Sequence, residues 1–328
     1  TSDAWAEASV NWFSGYGMDL GTVQASSSVV NSGTIAITAT ASATATAMAE
    51  TDASVSVWAG GSLYGIEMSN ITDSSVSNEG QIQLAIDIDA TATVTAAAGS
   101  AYVDDNSVSA YIYAIEASTL NNSTVDNSGS IDIDLNLDNV GTANGTSSAY
   151  ASASVNWFNA YGMELSSVTN GSVVSNSGSI VIDASTSAMA TAVATNATTD
   201  NASAYAYAGG SLYGMEMSTV NASTVSNSGQ IALTLDMSVD AMATATVGAA
   251  TASAYASAYS IKGIDVSSVI DGSVDNSGRI DIDVTVDVNA AASGTGGASS
   301  AMATIYINEI AGIWSDSLTN SSIANSGN

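Results

Sequence analysis

The stretch Asn227-Ser228-Gly229-Gln230-Ile231-Ala232-Leu233-Thr234-Leu235 decides the fold, because its two halves recur along the whole chain. Its first half is a turn phrase, Asn-Ser-Gly, whose asparagine returns every 47 to 51 residues. The seven turn asparagines are Asn31, Asn78 (followed by Glu79 instead of serine), Asn127, Asn176, Asn227, Asn276 and Asn325. A nearly fixed period of this length is typical of a repeat protein, in which each unit buries its apolar face against its neighbours.

The second half of the stretch opens an alternating segment. From Ile231 to Val247 every second residue is apolar, and the residues between them are mostly Thr, Asp and Ser. A period of two predicts a long β-strand rather than a helix. A second alternating segment, for example Ala252 to Ser260, leads back to the next unit. Reversals are predicted at Thr51-Asp52, Gly99-Ser100, Gly141 to Ser148, Thr198 to Asn201, Gly248 to Thr251 and Ser293 to Ser299.

These patterns predict an all-β fold, a flattened parallel β-solenoid of about seven coils of ~49 residues, with equivalent residues stacked ~4.8 Å apart. The alternative is an antiparallel meander of long strands, in which outgoing strands pair with returning strands. A turn asparagine at one place in every unit favours the solenoid, because stacked asparagines hydrogen-bond to one another. The glycine of each turn is expected to supply a positive φ.

The repeat predicts a single domain over residues 1–328, without an internal boundary. Ser9 to Phe13 returns as Ser154 to Phe158, and Gly60 to Gly65 returns as Gly209 to Gly214. Units one to three are therefore duplicated as units four to six, and a truncated seventh unit begins at about residue 297.

Composition restricts the chemistry. The chain has no cysteine, histidine or proline, and it has 31 acidic residues against two basic ones, Lys262 and Arg279. A net charge of −29 argues against nucleic acid and anionic membranes as partners, because both require Lys and Arg. The sequence contains no uninterrupted run of 18 apolar residues, so it does not predict a transmembrane helix. Because the chain starts at Thr1, we expect an extracellular or cell-surface protein whose secretion signal has been removed.

An acidic residue ends an aromatic-Gly-apolar-acid phrase in six units, as in Tyr64-Gly65-Ile66-Glu67, although Ala114 replaces the glycine in the third unit and Lys262 the aromatic residue in the sixth. These acids are Asp19, Glu67, Glu116, Glu164, Glu216 and Asp265. Stacked coils would align them in a column of like charges, which is predicted to recruit cations such as Ca²⁺ or to take up protons. A solvated polar face is the alternative, and no organic cofactor is predicted. The five phrase tyrosines are expected to stack in the same way.

Further polar residues recur on the strands and before the turns. A second acidic set comprises Asp87, Asp89, Asp132, Asp134, Asp183, Asp236, Asp281, Asp283 and Asp287. Nine Asn-x-Ser/Thr sequons are candidate glycosylation sites in a secreted chain, although a sequence this rich in Asn, Ser and Thr contains many by chance. Five precede a turn asparagine by five to eight residues: Asn70, Asn122, Asn170, Asn221 and Asn320. The others are Asn121, Asn144, Asn196 and Asn201.

The residues give little support to an enzyme. A nucleophilic serine needs an oriented base, and without histidine only Lys262 is available. Asp-x-Asp pairs occur in many units, which indicates a feature of the repeat rather than a glycosidase pair. We therefore predict that the protein is not an enzyme. Trp12, Trp58 and Trp157 are interpreted as packing residues or lateral contacts.

The phrase apolar-x-Asn-Ser-Gly-x-Ile resembles the repeats of β-helical surface proteins, such as autotransporter passenger domains and related secreted adhesins. It occurs at Val29 to Ile35, Val125 to Ile131, Val174 to Ile180, Val225 to Ile231 and Val274 to Ile280. The resemblance implies a β-helix at a cell surface, but the coils of those families are much shorter. The long strands and the composition are also similar to the self-assembling sheath proteins of methanogenic archaea.

The function expected from these observations is structural. We predict an extracellular protein that self-assembles by strand-edge stacking into a filament or sheath, with further copies of itself as its partner. The main alternative is the stalk of a surface adhesin. Ice binding by stacked threonines is a further alternative, although threonine positions such as Thr44 and Thr244 shift between units.

Overall fold

A computed structural model describes residues 3–195 and 200–328. Every regular element in these ranges is a β-strand, and the strands fall into three parallel sheets whose members alternate along the chain. Sheet A holds β1 (Ala4–Gln24), β4 (Ala53–Thr72), β7 (Ser100–Asn121), β10 (Ser148–Thr169), β13 (Asn201–Asn221), β16 (Ala249–Ile270) and β19 (Ser300–Thr319). Sheet B holds β2 (Ser28–Asn31), β5 (Ser75–Asn78), β8 (Thr124–Asn127), β11 (Val173–Asn176), β14 (Thr224–Asn227), β17 (Ser273–Asn276) and β20 (Ser322–Asn325). Sheet C holds β3 (Thr34–Ala49), β6 (Gln81–Ala96), β9 (Ser130–Gly145), β12 (Ser179–Ala194), β15 (Gln230–Ala245) and β18 (Arg279–Gly294).

One strand from each sheet makes a coil, so β1 to β3 form coil 1 and β19 with β20 form a partial coil 7. Each strand pairs in parallel with the equivalent strand of the next coil, and no strand of sheet A pairs with one of sheet C among the described residues. The sequence-based prediction of a parallel β-solenoid is therefore confirmed. The antiparallel meander is wrong, because it requires outgoing strands to pair with returning strands.

The core lies between sheet A and sheet C and follows the alternation in the sequence. Ile231, Leu233 and Leu235 of β15 are buried, and the intervening residues of that strand are more exposed. Small residues fill the facing part of sheet A, where Ala252 and Ala254 of β16 are also buried. The period of two places one face of each strand inside, and burial of that face fixes the register of the strand.

The reversals that the sequence predicts to be long are shorter in the structure, whereas those predicted at 51–52 and 99–100 span residues 50–52 and 97–99. β9 continues to Gly145, so the reversal expected from Gly141 is confined to residues 146 and 147. β16 already begins at Ala249 and runs through the aromatic-Gly phrase of its unit, which lies within sheet A. Of the predicted reversal at 198–201, residues 198 and 199 lie outside the described residues, as does the sequon asparagine at 196.

The turn glycines were expected to adopt a positive φ, and this prediction is wrong. None of them lies in the left-handed region; the one described glycine that does is Gly171. Glycine is required because adjacent turns touch. A Cβ added to Gly80 would lie 1.9 Å from the carbonyl oxygen of Gly33, and one added to Gly178 would lie 1.9 Å from that of Gly129. The left-handed residues instead occupy the bend between sheets A and B: Ala25, Ser26, Asp73, Asn122, Asn170, Gly171, Ala222, Asp271 and Asn320.

Candidate functional site

The predicted column of acids exists on the outer face of sheet A. Pairing places Asp19 beside Glu67, Glu67 beside Glu116 and Glu116 beside Glu164. The column continues from Glu164 to Glu216 and from Glu216 to Asp265. In coil 7 the equivalent position is Trp314, which ends the row of carboxylates.

The pKa values of four glutamates in the column are raised. Burial, followed by the charge of Glu164, raises the pKa of both Glu116 and Glu216 to about 7. Burial and the charge of Asp19 raise the pKa of Glu67, and burial also raises the pKa of Glu164. One carboxylate oxygen each of Glu67 and Glu116 is buried without a hydrogen-bond partner. Glu116 and Glu216 therefore bind protons near neutral pH more readily than free carboxylates do.

The same column was predicted to hold cations. Within residues 3–195 and 200–328, no group of three or more acidic side chains is arranged to hold a metal ion. Carboxylates in one column meet mainly their neighbours above and below, whereas Ca²⁺ takes six to eight oxygen ligands. Cation binding by the column stays a prediction.

A tyrosine ladder runs beside the acids. The rings of Tyr16, Tyr64, Tyr113, Tyr161 and Tyr213 stack in sequence. Their centroids are 4.8, 5.1, 4.9 and 4.9 Å apart, and their planes are within 8° of parallel. The predicted aromatic ladder is therefore present. Stacking at this separation covers the ring faces, so the ladder presents mainly edges and hydroxyl groups outward.

Lys262 ends the ladder, because it stands where coils 1 to 5 carry tyrosine. Its ammonium lies 3.1 Å from a carboxylate oxygen of Asp265 and 2.8 Å from one of Glu309. The same Nζ lies 3.3 Å from the centroid of the Trp314 ring. Burial alone would lower the pKa of Lys262, but the hydrogen bonds to Glu309 and Asp265 raise it. Lys262, the one residue that the sequence offered as a base for a nucleophilic serine, is thus an ammonium ion paired with two carboxylates.

The turn asparagines form a second ladder, in the interior at the edge of sheet B. The Nδ2 atom of each asparagine donates a hydrogen bond to Oδ1 of the asparagine in the next coil. The distances are 2.7 Å in the first five steps and 2.8 Å from Asn276 to Asn325. The backbone repeats the pattern, since the carbonyl oxygen of Asn127 accepts from the N–H groups of Ser177 and Gly178.

The five sequon asparagines near the turns are exposed and lie at or near the bend between sheets A and B. Asn122, Asn170 and Asn320 occupy left-handed positions there. Nδ2 of Asn122 donates to Asp73, and Nδ2 of Asn170 donates to Asn121, each over 2.7 Å. One N–H of each of these two amides is therefore engaged in a hydrogen bond to the neighbouring coil. Accessibility at Asn70 and Asn221 is compatible with modification, which stays a prediction.

Sequence reasoning missed an arrangement in which two aromatic rings meet above a glycine. Trp157 of coil 4 stacks on Tyr259 of coil 6, with centroids 4.8 Å apart, at the level of Gly209 in coil 5. In the first half of the chain, Trp12 packs 5.5 Å from Tyr111 above Gly60. Trp12 and Trp157 thus pack on aromatic rings of other coils while staying about half exposed, and a role in lateral contacts stays a prediction. The repeated Gly-Gly pair was the available signal.

The outer face of sheet C carries the second acidic set, which does not form one column. Asp134 pairs directly with Asp183, whereas most other members face Thr, Ser, Ala or Asn in the adjacent coils. The threonines are more regular than the sequence suggests. Thr46, Thr93, Thr142 and Thr191 align in one row, although Met242 ends it. In the adjacent row Thr44 and Thr91 are followed by Val140, so the threonine array stays narrow.

The two ends of the solenoid expose strand edges. β1, β2 and β3 lie at one end of their sheets, and β19, β20 and β18 lie at the other. Apolar side chains of β19 are about half exposed, namely Met302, Ile305, Ile307, Ile310 and Leu318. Beside them is an open cavity of about 430 Å³, lined by Ile280, Gly312, Ile313 and Ile323 among others.

The geometry defines the class of the protein, which is a parallel β-solenoid with three sheets. No protein-family model, no curated protein and no solved structure matches the chain. The part of the chain that the structure describes contains no helix able to span a membrane.

Proposed function

We propose that the protein is an extracellular structural protein that assembles end to end, by stacking of strand edges, into a filament or sheath. The observation that carries the proposal is the in-register parallel pairing of equivalent strands from coil to coil, a contact that another copy would continue. A strand edge of a sheet is a template for pairing with another chain. Stacking of coil 1 of a second copy on β19 and β20 is β-augmentation of sheets A and B at once.

The end coils carry complementary groups. Inside the solenoid, each turn asparagine carbonyl accepts from two N–H groups of the next coil. At the ends, the corresponding groups are the carbonyl of Asn325 and the N–H groups of Ser32 and Gly33. A second copy placed with its coil 1 on coil 7 would therefore repeat a contact that the chain already makes between its own coils.

Charge also supports stacking in this orientation. Trp314 replaces the acid of coil 7, so the column of one copy would not place a carboxylate directly against Asp19 of the next. Asp265 in the preceding coil is already paired with Lys262. The repulsion that a net charge of −29 creates between copies is therefore reduced at the joint itself. The extracellular location is supported by composition, and the chain itself is the proposed partner.

The test compares filaments of the 328-residue chain with those of a Gly33→Val variant in negative-stain electron microscopy. No atom lies within 4 Å of a Cβ added at Gly33, so the single molecule tolerates the change. In coils 2 to 7 the same Cβ would lie 1.8 to 2.1 Å from a carbonyl oxygen of the preceding coil. The variant is therefore expected to stay monomeric because its added side chain meets the preceding copy.

Gly21→Ser is the matched control. Gly21 is also in coil 1 and free of contacts, and coil 2 carries Ser69 at that position. This variant is expected to form filaments like the unmodified chain. Monomers of the unmodified chain at high concentration in the presence of Ca²⁺ would overturn the proposal, and so would normal filaments of Gly33→Val.

A further inference from the structure

Two tyrosines of adjacent coils meet hydroxyl to hydroxyl on the outer face of sheet A. Tyr207 lies on β13 and Tyr259 on β16, and their phenolic oxygens form a hydrogen bond. Gly209 provides the space for this contact. Cζ of Tyr207 and Cε2 of Tyr259 would each lie 2.9 Å from a Cβ added to Gly209, so the two phenol ends share the small volume above that glycine.

A β-bulge brings Tyr259 to this position. Gly210 pairs with Ala258, but the next residue, Ser211, pairs with Ser260, so Tyr259 is the extra residue of its strand. A bulge of this kind turns a side chain away from the direction that regular alternation would give it. The contact between the two phenols is therefore made by a specific local departure from the repeat.

The contact differs from the stacking of the other tyrosines. The ladder rings lie face to face, with planes within 8° of parallel, and Tyr207 stacks on Tyr255 in a similar way at an interplanar angle of 13°. A bond between the ring carbons next to two phenol hydroxyls lies in the plane of both rings, so stacked rings must separate to form it. In the resulting biphenol the two hydroxyls flank the new bond within hydrogen-bonding distance. Tyr207 and Tyr259 already have their hydroxyls in that arrangement.

The pair is within reach of an oxidant in solution. Both tyrosines are half-buried, and Trp157, whose side chain is 49% exposed, stacks on Tyr259 with ring centroids 4.8 Å apart. Burial, followed by the hydrogen bond with Tyr259, raises the pKa of Tyr207. Tyr207 therefore stays a neutral phenol at neutral pH, with a hydrogen atom to lose.

We propose that Tyr207 and Tyr259 are the site of an oxidative crosslink, a dityrosine bond between coils 5 and 6. Each phenol loses one hydrogen atom, and the two ring carbons next to the hydroxyls form one carbon–carbon bond. Two equivalents of a one-electron oxidant, such as a peroxide-derived radical, accept the two electrons, and the two protons pass to water. The product keeps both hydroxyls and is lighter than the unlinked chain by two hydrogen atoms.

The crosslink would supply a covalent bond that this composition otherwise lacks. The chain has 13 tyrosines and no cysteine, so no disulfide can join its coils. Tyr207 and Tyr259 are 52 residues apart, and closing a loop of that size restricts the unfolded chain as a disulfide does. The inference goes beyond the proposed assembly and does not require it, although the supply of oxidants rests on the proposed extracellular location.

The first half of the chain contains a related cluster without the tyrosine pair. Trp58 stands where the second half has Tyr207, and Trp12 lies between Trp58 and Tyr111, with ring centroids 6.2 and 5.5 Å from theirs. A cluster with a single tyrosine cannot form a dityrosine bond. It is therefore an internal control in any oxidation experiment.

The test is oxidation of the purified 328-residue chain, in dilute solution, by photo-oxidised ruthenium tris-bipyridine with persulfate. The dose is raised until Trp5, which is 67% exposed, is modified. The protein is then unfolded in urea and cut after glutamate, which separates the two tyrosines because Glu216 lies between them. Mass spectrometry is expected to show a Tyr207–Tyr259 link about tenfold more abundant than a link between any other two tyrosines, because only this pair is oriented for it.

Tyr207→Phe and Tyr259→Phe are each expected to abolish that link. Tyr213→Phe is the matched control, because it removes a ladder hydroxyl from the same glutamate-bounded peptide as Tyr207, and it should leave the link unchanged. Circular dichroism should show that all three variants stay folded, since each loses only a hydroxyl group.

Modification of Trp5 without a Tyr207–Tyr259 link would overturn the proposal, and so would links spread equally over the ladder tyrosines. The link forms within one molecule and is detected after unfolding. Filaments or monomers in electron microscopy therefore decide only the proposed assembly, and the mass spectrum decides only the crosslink.

Discussion

The side-chain nitrogen of Asn127 donates a hydrogen bond to the side-chain oxygen of Asn176 over 2.7 Å, and both side chains are buried. Asn127 also accepts from Asn78 on its other side. Each internal asparagine therefore has a partner above and below. Removing one leaves two buried amides without their partner, which costs more than the net value of a hydrogen bond.

We expect Asn127→Ala to lower the free energy of unfolding by about 2–4 kcal/mol. Asn325→Ala is the control, because Asn325 is exposed and bonds to one neighbour, Asn276. Its expected cost is about 1 kcal/mol or less. Urea denaturation followed by circular dichroism measures both, and equal costs for the two variants would contradict a role for the internal ladder.

The turn glycines allow a second comparison. Gly178→Ala would place a Cβ 1.9 Å from the carbonyl oxygen of Gly129, so the backbones of two coils must separate. We expect a loss of about 2–4 kcal/mol in the free energy of unfolding. Gly33→Ala has open space and is expected to change it by less than about 0.5 kcal/mol. A similar loss at both positions would contradict contact between coils as the reason for glycine in the turns.

The carboxylate column predicts a dependence of stability on pH. Burial and the charge of Glu164 raise the pKa of Glu116 and Glu216 to about 7, above the usual value for glutamate in an unfolded chain. The folded state therefore binds protons more tightly. Its stabilisation by protonation is complete below about pH 4.5 and is lost as the pH rises through about 7.

We expect the melting temperature to be higher at pH 5 than at pH 8. Glu116→Gln with Glu216→Gln should raise stability at pH 8 by about 1–2 kcal/mol, after allowance for solvent screening, and should flatten the pH profile. Differential scanning calorimetry across this range measures the effect. A profile that rises with pH, or one that the double variant leaves unchanged, would contradict the prediction.

Lys262 provides a fourth test. Replacing it by methionine leaves Asp265 buried beside Glu309 without a counter-ion. We expect a loss of about 3 kcal/mol in the free energy of unfolding at pH 7, because a buried charge is left unpaired. Lys262→Met combined with Asp265→Asn should recover most of the loss. If the double variant is as unstable as the single one, the lysine acts through packing on Trp314 instead.

The sequence predicts the solenoid and both ladders because each depends on a strict period. Ile231 to Val247 alternate without interruption, so one face must be buried and the register follows. The turn asparagines and phrase tyrosines recur at equivalent positions, and parallel stacking then brings them together. The acids of the column were located for the same reason.

Other features could not be predicted because two physical causes select the same residue. Glycine satisfies both a left-handed turn and a close approach of two backbones, and the sequence does not distinguish them. Tyr64 and Glu67 both face outward although they are three residues apart, so a local irregularity at Gly65 interrupts the period of two. Because the alternation breaks at this point, the sequence does not indicate that the sheet A strands continue through the aromatic-Gly phrase.

Asn106 and Asn139 show the limit of composition as a guide. In a chain rich in asparagine they suggest a solvated surface, yet both are buried between sheets A and C. Nδ2 of Asn106 donates to the carbonyl oxygen of Val140, and Nδ2 of Asn139 donates to that of Asn106, each over 2.9 Å. They bind backbone groups where the register of β7 and β10 shifts, and a shift of this kind leaves no pattern in the sequence.

The hydrogen bonds of the asparagine ladder all point the same way, from Asn31 toward Asn325. Each internal amide accepts from the coil before it and donates to the coil after it, so the two sides of a coil differ. Any assembly that continues the ladder therefore has a direction, and its two ends differ chemically. Subunits would add to those two ends at different rates, so growth would have a direction.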